Sequence, residues 1–234
     1  MALQITHHKN FDPSAISFSK LRKNKNGGKA VYLNVADKKL FLQLPCMRSP
    51  YGLSTYTDEA SGRTSYSLDL SFDPDNAEAV VLGEKLAELD NIIVDTVVKN
   101  SKEWLGKAYN ATVCREALYK PLIRPGKEQY PSSIKLKILT KDNGDFVPEA
   151  YNTNRENVPL SSVEKGQKVT CIVDFVQIWF IDNKFGVTVR LQQVLLEPSA
   201  KLPSFAFLGV ENQGAAASTN DEDDIIDEDE DYDE

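Results

Sequence analysis

The sequence predicts a mainly β fold of the α+β class: a small closed antiparallel barrel with one inserted helix, followed by a disordered acidic tail. Three observations predict it. Residues 168–196 read as two long arms of alternating apolar and polar residues around a tight turn, the pattern of half-buried paired strands. Residues 77–107 are the one segment with sustained helical spacing of Leu82, Leu86, Leu89, Ile93, Val97 and Trp104. Residues 221–234 hold 11 acids and no base, a composition that cannot bury a core.

In chain order, residues 1–19 carry little pattern beyond the apolar pair Ile16 and Phe18. Lys20, Arg22, Lys23, Lys25 and Lys29 then cluster around Asn24, Asn26, Gly27 and Gly28, which reads as a basic, flexible loop. Solvation is the ordinary role of such a loop. Gly27-Gly28-Lys29 is no phosphate loop, because Ala30 stands where Ser or Thr is needed. Ala30–Val35 and Lys39–Leu44 read as strands joined at Asp37-Lys38 and ended by Pro45. Cys46 to Tyr56, with Arg48, Pro50, Tyr51 and Gly52, reads as a rigid aromatic and basic loop. Ser65–Phe72 alternates toward the core until Asp73-Pro74-Asp75 stops it, and Asp75 caps the helix, which the Asn100-Ser101 pair interrupts. Asp73 and Asp75 lack the further ligands of a metal loop.

Beyond the helix, Lys120 to Lys127 is an irregular basic stretch with Pro121 and Pro125. Ser133–Leu139 alternates again and turns Lys135 and Lys137 outward, before a turn at Asp142-Asn143-Gly144. Residues 145–167 show no regular pattern. In the hairpin that follows, Asp182 and Asn183 supply side chains that tolerate a left-handed turn. Its tip gathers Trp179, Phe180, Lys184 and Phe185. Such rings either stack unpaired bases or close one end of the barrel as core. Roughly six strands with one helix fit a small barrel better than a sandwich. The domain limits follow: a barrel over 1–208, a linker of small and polar residues over 209–220, and the tail over 221–234.

The net charge of -8 hides an asymmetry. Of the 35 acids 11 lie in the tail, which leaves 24 against 27 bases, so the body carries +3 and the tail -11. A basic body with an acidic arm suits nucleic-acid binding, and also a histone or protein chaperone working through the arm. The three cysteines, Cys46, Cys114 and Cys171, form no C-x-x-C pair, and the only histidines are His7 and His8. No metal site, cofactor or catalytic triad is expected from these residues, and no nucleophile motif suggests an enzyme. No apolar run reaches the roughly 18 residues of a membrane helix, and the start MALQITHHKN lacks a signal-peptide core. A soluble, intracellular protein without a membrane partner is expected.

The segment KGQKVTCIVDFVQIWFIDNKFGVTVRLQQVLL at 165–196, with ISFSKLRKNKNGGKAVYL at 16–33, LQLPCMRSPYGL at 42–53, the strand-to-helix passage at 65–99 and the acidic end, resembles the single-stranded DNA-binding proteins of short-tailed bacteriophages and their relatives in large nucleocytoplasmic DNA viruses. That resemblance implies an oligonucleotide-binding (OB) fold with a helix insertion, sequence-tolerant binding of single strands, and a tail that contacts replication proteins such as a polymerase, helicase or primase. The role implied is coating of exposed strands in viral DNA replication, recombination and repair, in host cytoplasm or nucleus. A homodimer and a monomer both fit it. The expected stacking rings are Trp179, Phe180, Phe185 and Tyr51, and the expected phosphate contacts are Arg48, Lys135, Lys137, Lys184, Arg190, Arg22, Lys23 and Lys25. The partner-binding tail comprises Asp221, Glu222, Asp223, Asp224, Asp227, Glu228, Asp229, Glu230, Asp231, Tyr232, Asp233 and Glu234.

Overall fold

In a computed structural model of the chain, residues 4–23 and 28–199 are described. Its strands are β1 (Ile5–His7), β2 (Ile16–Phe18), β3 (Arg22–Lys23), β4 (Lys29–Val35), β5 (Lys38–Arg48), β6 (Leu53–Thr57) and β7 (Thr64–Ser71). Helix α1 (Ala77–Trp104) follows, then β8 (Tyr119–Lys120), β9 (Ile123–Arg124), β10 (Ser133–Ile138), β11 (Glu149–Asn152), β12 (Asn157–Val158), β13 (Lys168–Ile181) and β14 (Lys184–Leu196).

Two left-handed turns set the main registers. Ala36 and Asp37 (φ 47° and 61°) join β4 to β5, and Asp182 and Asn183 (φ 49° and 61°) join β13 to β14. Paired positive φ gives a two-residue loop whose twist matches that of the flanking strands. Five strands then close a ring in the order β5, β7, β10, β14, β13 and back to β5. This is a five-stranded, partly open barrel of the OB type. The ring is antiparallel except for β10 with β14, which is parallel. A ring with an odd number of strands cannot alternate direction all the way round, so one parallel pair is unavoidable. That pair meets in register at Lys137 and Arg190 alone, and β5 meets β7 only at Arg48 and Ser71. The barrel is therefore tightly laced along β13 and loose at two seams.

Helix α1 buries Leu82, Leu86, Leu89, Ile93, Val94 and Val97 in the same core as the strand residues Leu42, Leu68, Leu136, Val173 and Phe175. Its N-cap is Asn76 rather than the expected Asp75: the Asn76 side chain accepts from the Ala79 amide at 3.2 Å. The helix also runs through Asn100-Ser101 unbroken. Asn100 Nδ2 donates to the Thr96 carbonyl at 2.8 Å and Ser101 Oγ to the Val98 carbonyl at 2.9 Å, so neither polar group competes for a helix-ending conformation. Gly106, at φ 82°, ends it.

Three further expectations change. Pro45 does not end its strand. Thr170 of β13 faces Cys46 whereas Ile172 faces Gln43, so Leu44 and Pro45 occupy a bulge where no ladder amide is required. The expected rigid loop at 46–56 is instead a short turn leading into β6, which pairs with β7 from Leu53–Leu68 to Thr57–Thr64. Residues 145–167 contain β11 and β12, which extend the sheet beyond β14. Among the described residues no helix is long and apolar enough to cross a membrane.

Candidate functional site

The loose seam between β10 and β14 opens a groove. Along β10, Ile134, Leu136 and Ile138 are buried while Lys135 and Lys137 are exposed, opposite Asp69 and Ser67 of β7. Two adjoining cavities, of about 470 and 480 Å³, share Arg124, Lys135, Trp179, Val187 and Val189 as lining. The first extends to Lys120 and Pro125, and the second to Tyr56, Tyr66, Lys137 and Ile181. Lys120, Arg124, Lys135 and Lys137 thus line the two cavities, and Asp69 lies across the ladder from Lys135. Burial pushes the Asp69 carboxyl up, while Lys135 and Arg124 pull it down.

Trp179 owes its place in the groove to an irregularity in β13. Val173 and Phe175 point into the barrel, and strict alternation would continue with Gln177 and Trp179. A register shift between Phe175 and Gln177 reverses the phase, so Ile178 and Phe180 go inside and Trp179 comes out, partly exposed. Opposite it lies Gly186. A Cβ there would stand 2.8 Å from Trp179 Cζ2 and 3.1 Å from both the Lys120 Cβ and its carbonyl oxygen. Glycine at 186 therefore lets the indole and the Tyr119–Lys120 strand lie close against β14.

The wall carrying Lys120 and Arg124 is pinned from below by α1. Tyr119 Oη donates to Asp90 Oδ1 at 2.5 Å, and the Leu122 amide donates to the same oxygen at 3.4 Å. Burial pushes Asp90 up to about 6, against the pull of these hydrogen bonds and of Arg115. The Tyr119 hydroxyl is held far above its usual range by burial and by Asp90. On the far side, Ile123 and Arg124 pair with Ile134 and Ser133 of β10.

Of the residues singled out in the sequence, Trp179, Lys135 and Lys137 come together here. Lys184 is exposed at the hairpin tip, paired across the turn with Ile181. Arg22 and Arg190 line a different cleft, and Lys23 is exposed on β3. Arg48 is exposed beside Gly166, its Nη2 3.7 Å from where a Cβ would sit, and Tyr51 is 60% exposed. Neither lines the groove, so the structure does not join them to it. Phe180 and Phe185, expected as stacking rings, are core: they are 7% and 0% exposed. As cross-strand partners they share one face, and the phase reversal turns that face inward against Trp104, 5.8 Å from Phe180, and Tyr119, 5.1 Å from Phe185. Lys25, the linker 209–220 and the tail 221–234 lie outside the described residues. Sequence reasoning missed Tyr56, Lys120 and Arg124 as groove residues. The basic, proline-containing run at 120–127 was the available signal for two of them.

Barrel, inserted helix and open seam define a protein of the OB class. Within that class, the chain belongs to the family of unknown function DUF5871, whose model matches residues 69–207. No curated protein matches it in sequence. Among solved structures it is similar to gp2.5, a single-stranded DNA-binding protein encoded by bacteriophage T7, at 14% identity and a TM-score of 0.47, over 77% of this chain and 100% of that one. It is also similar to the single-stranded DNA-binding protein of bacteriophage Enc34 in complex with single-stranded DNA, at 15% identity and a TM-score of 0.39, over 79% and 97%. The Enc34 protein in a further structure matches at 14% identity and a TM-score of 0.37, over 87% of this chain and 98% of that one.

Proposed function

We propose that the seam groove binds single-stranded DNA with little regard to sequence, and that the chain works by binding alone, without catalysis. One observation carries this reading: a partly exposed indole, Trp179, shares a groove with Lys120, Arg124, Lys135 and Lys137. Cations hold phosphates wherever a strand runs, whereas an indole face is useful only to a base that is not already stacked in a duplex. Stacking contributes about 1–3 kcal/mol per base and tolerates any base, because each has a π-face. Tyr56 and Tyr66 offer further rings in the same groove.

We propose a finer role as well. The barrel, taken as residues 1–208, coats and protects strands exposed while viral DNA is copied, recombined or repaired inside the infected cell. The acidic residues 221–234, tethered through 209–220, compete for the cationic groove. A bound strand displaces them and frees them for a polymerase, helicase or primase. Removing 221–234 is expected to raise single-strand affinity most at low salt, since screening weakens the arm as salt rises. Equal affinities with and without the tail across the salt range contradict the competition.

A fluorescence titration with a thymidine oligomer tests the groove itself. The chain has two tryptophans, and Trp104 is buried at 5% exposure, so quenching on binding reports Trp179. Stoichiometric quenching is expected, with log affinity falling by about 0.7 per neutralised phosphate against log salt. Absence of binding at low salt, or equal binding of duplex, overturns the reading.

A further inference from the structure

A second cleft, of about 400 Å³, lies on the barrel wall where β3 and β4 meet β13 and β14. Arg22, Lys39 and Arg190 bring three cations to it, against the single acid Asp174. It is not a closed internal network. Among the described residues none of these cations forms a salt bridge, and neither Asp174 Oδ1 nor Arg190 Nε finds a hydrogen-bond partner. Asp174 is 3% exposed. Burial pushes its carboxyl up while Lys39 and Arg190 pull it down. The cleft also has a ring. Tyr32 is 36% exposed, and the Arg22 guanidinium lies over it, 5.5 Å from the ring centroid.

The register connects this cleft to the groove. Arg190 is the cross-strand partner of Asp174 on one side and of Lys137 on the other. Lys137 lines the groove and Arg190 lines the cleft, so one pair of neighbouring cations spans the closing seam. The amides of Asn34 and Gln177 add neutral donors and acceptors to the cleft wall.

We propose that this cleft is a second seat for the same single strand: DNA leaving the groove crosses at Arg190, its phosphates are taken by Arg22 and Lys39, and a base stacks on Tyr32. The proposal rests on the groove reading above. It assigns the barrel a footprint of two separated segments rather than one, and it gives Tyr32 and Lys39 binding roles.

The full chain is titrated with oligothymidylates of about 6 and about 20 nucleotides, which bracket much of the roughly 4–16 nucleotides an OB barrel covers. Arg22 and Lys39 are exposed, so Arg22→Ala/Lys39→Ala is expected to leave the thermal transition unchanged. It is expected to weaken the long oligomer about tenfold, to lower its salt slope by about 1.4, and to leave the short one unaffected. Tyr32→Ala is expected to show the same length dependence. Long-strand affinities equal to those of the unaltered protein in both variants overturn the proposal. So does a free-nucleotide site, seen as thymidine monophosphate binding that the double variant abolishes while long-strand binding stays intact. Failure of the unaltered protein to bind either length contradicts the groove reading itself, and is distinguished from failure of the cleft alone by the short oligomer.

Discussion

Trp179 and Phe180 are neighbours in the chain, and the regions they belong to use aromatic rings for opposite purposes. Beneath the β13–β14 hairpin, Trp104, Tyr119, Phe180 and Phe185 meet ring to ring, with centroids 5.1–6.1 Å apart and little or no exposure. In the groove, Trp179, Tyr56 and Tyr66 share their surroundings with Arg124, Lys135 and Lys137. Strand alternation separates the two regions, and the one-residue shift near Val176 decides which ring falls on which face. An aromatic and basic hairpin tip is thus two things at once: a core plug on one face and a binding platform on the other.

The largest way to break this contrast is to empty the plug. Phe185 is fully buried, so Phe185→Ala is expected to cost about 3–5 kcal/mol of stability by urea denaturation. Binding of a thymidine oligomer is expected to fall only as far as the folded fraction falls. A variant that keeps its stability and loses affinity would place Phe185 among the binding rings after all.

The platform side is reached through Gly186. Gly186→Ala puts a Cβ against the Trp179 ring and Lys120, and either the indole or the β8 wall must move. The expected result is a loss of about 1–3 kcal/mol in strand affinity, the range of one stacked base, with a shifted tryptophan emission. Unchanged affinity and emission would show that the close approach is not needed.

A smaller effect sharpens the link between helix and groove. Asp90 is pushed up to about 6 in the folded protein from an ordinary value of 3.8. Its protonated form therefore favours folding. That contribution is full below the unfolded value and is lost as pH rises through about 6. Asp90→Asn removes the half-buried charge and keeps an oxygen that can accept from Tyr119. Its unfolding free energy in urea is expected to exceed that of the unaltered protein at pH 8, by up to about 3 kcal/mol at 1.36 kcal/mol per pKa unit, and to converge with it toward pH 4. A constant difference across that range would remove Asp90 ionisation from the account.

Much of the fold was legible because local signals agreed. The alternation in 168–181 and 184–196, the Asp182-Asn183 turn and the 3.6-residue spacing of α1 each specify their element without tertiary help. Ring closure was legible in kind, but not its one parallel pair, which follows from counting strands around the barrel. The site was legible only in part. Lys135 and Lys137 could be assigned to the outside because β10 alternates without interruption. Phe180 and Phe185 could not be placed, because a bulge leaves no mark in the sequence and reverses every side chain beyond it. Lys120 reaches the groove by pairing with Gly186 of the distant β14, and Tyr56 and Arg124 through short local pairings with Ser65 and Ser133 in segments too irregular for spacing to mark as strands. Pro45 misled for a related reason: proline is incompatible with a regular ladder, and the bulge that accommodates it depends on β13.

Trp179 serves binding while its neighbours serve the core, and Trp179→Ala separates the two roles when strand affinity and thermal stability are read on the same preparation. A loss of roughly 1–3 kcal/mol in oligothymidylate affinity is expected, with little change in the melting transition. A lowered transition with undiminished affinity per folded molecule would contradict it, and would return Trp179 to the core beside Phe180.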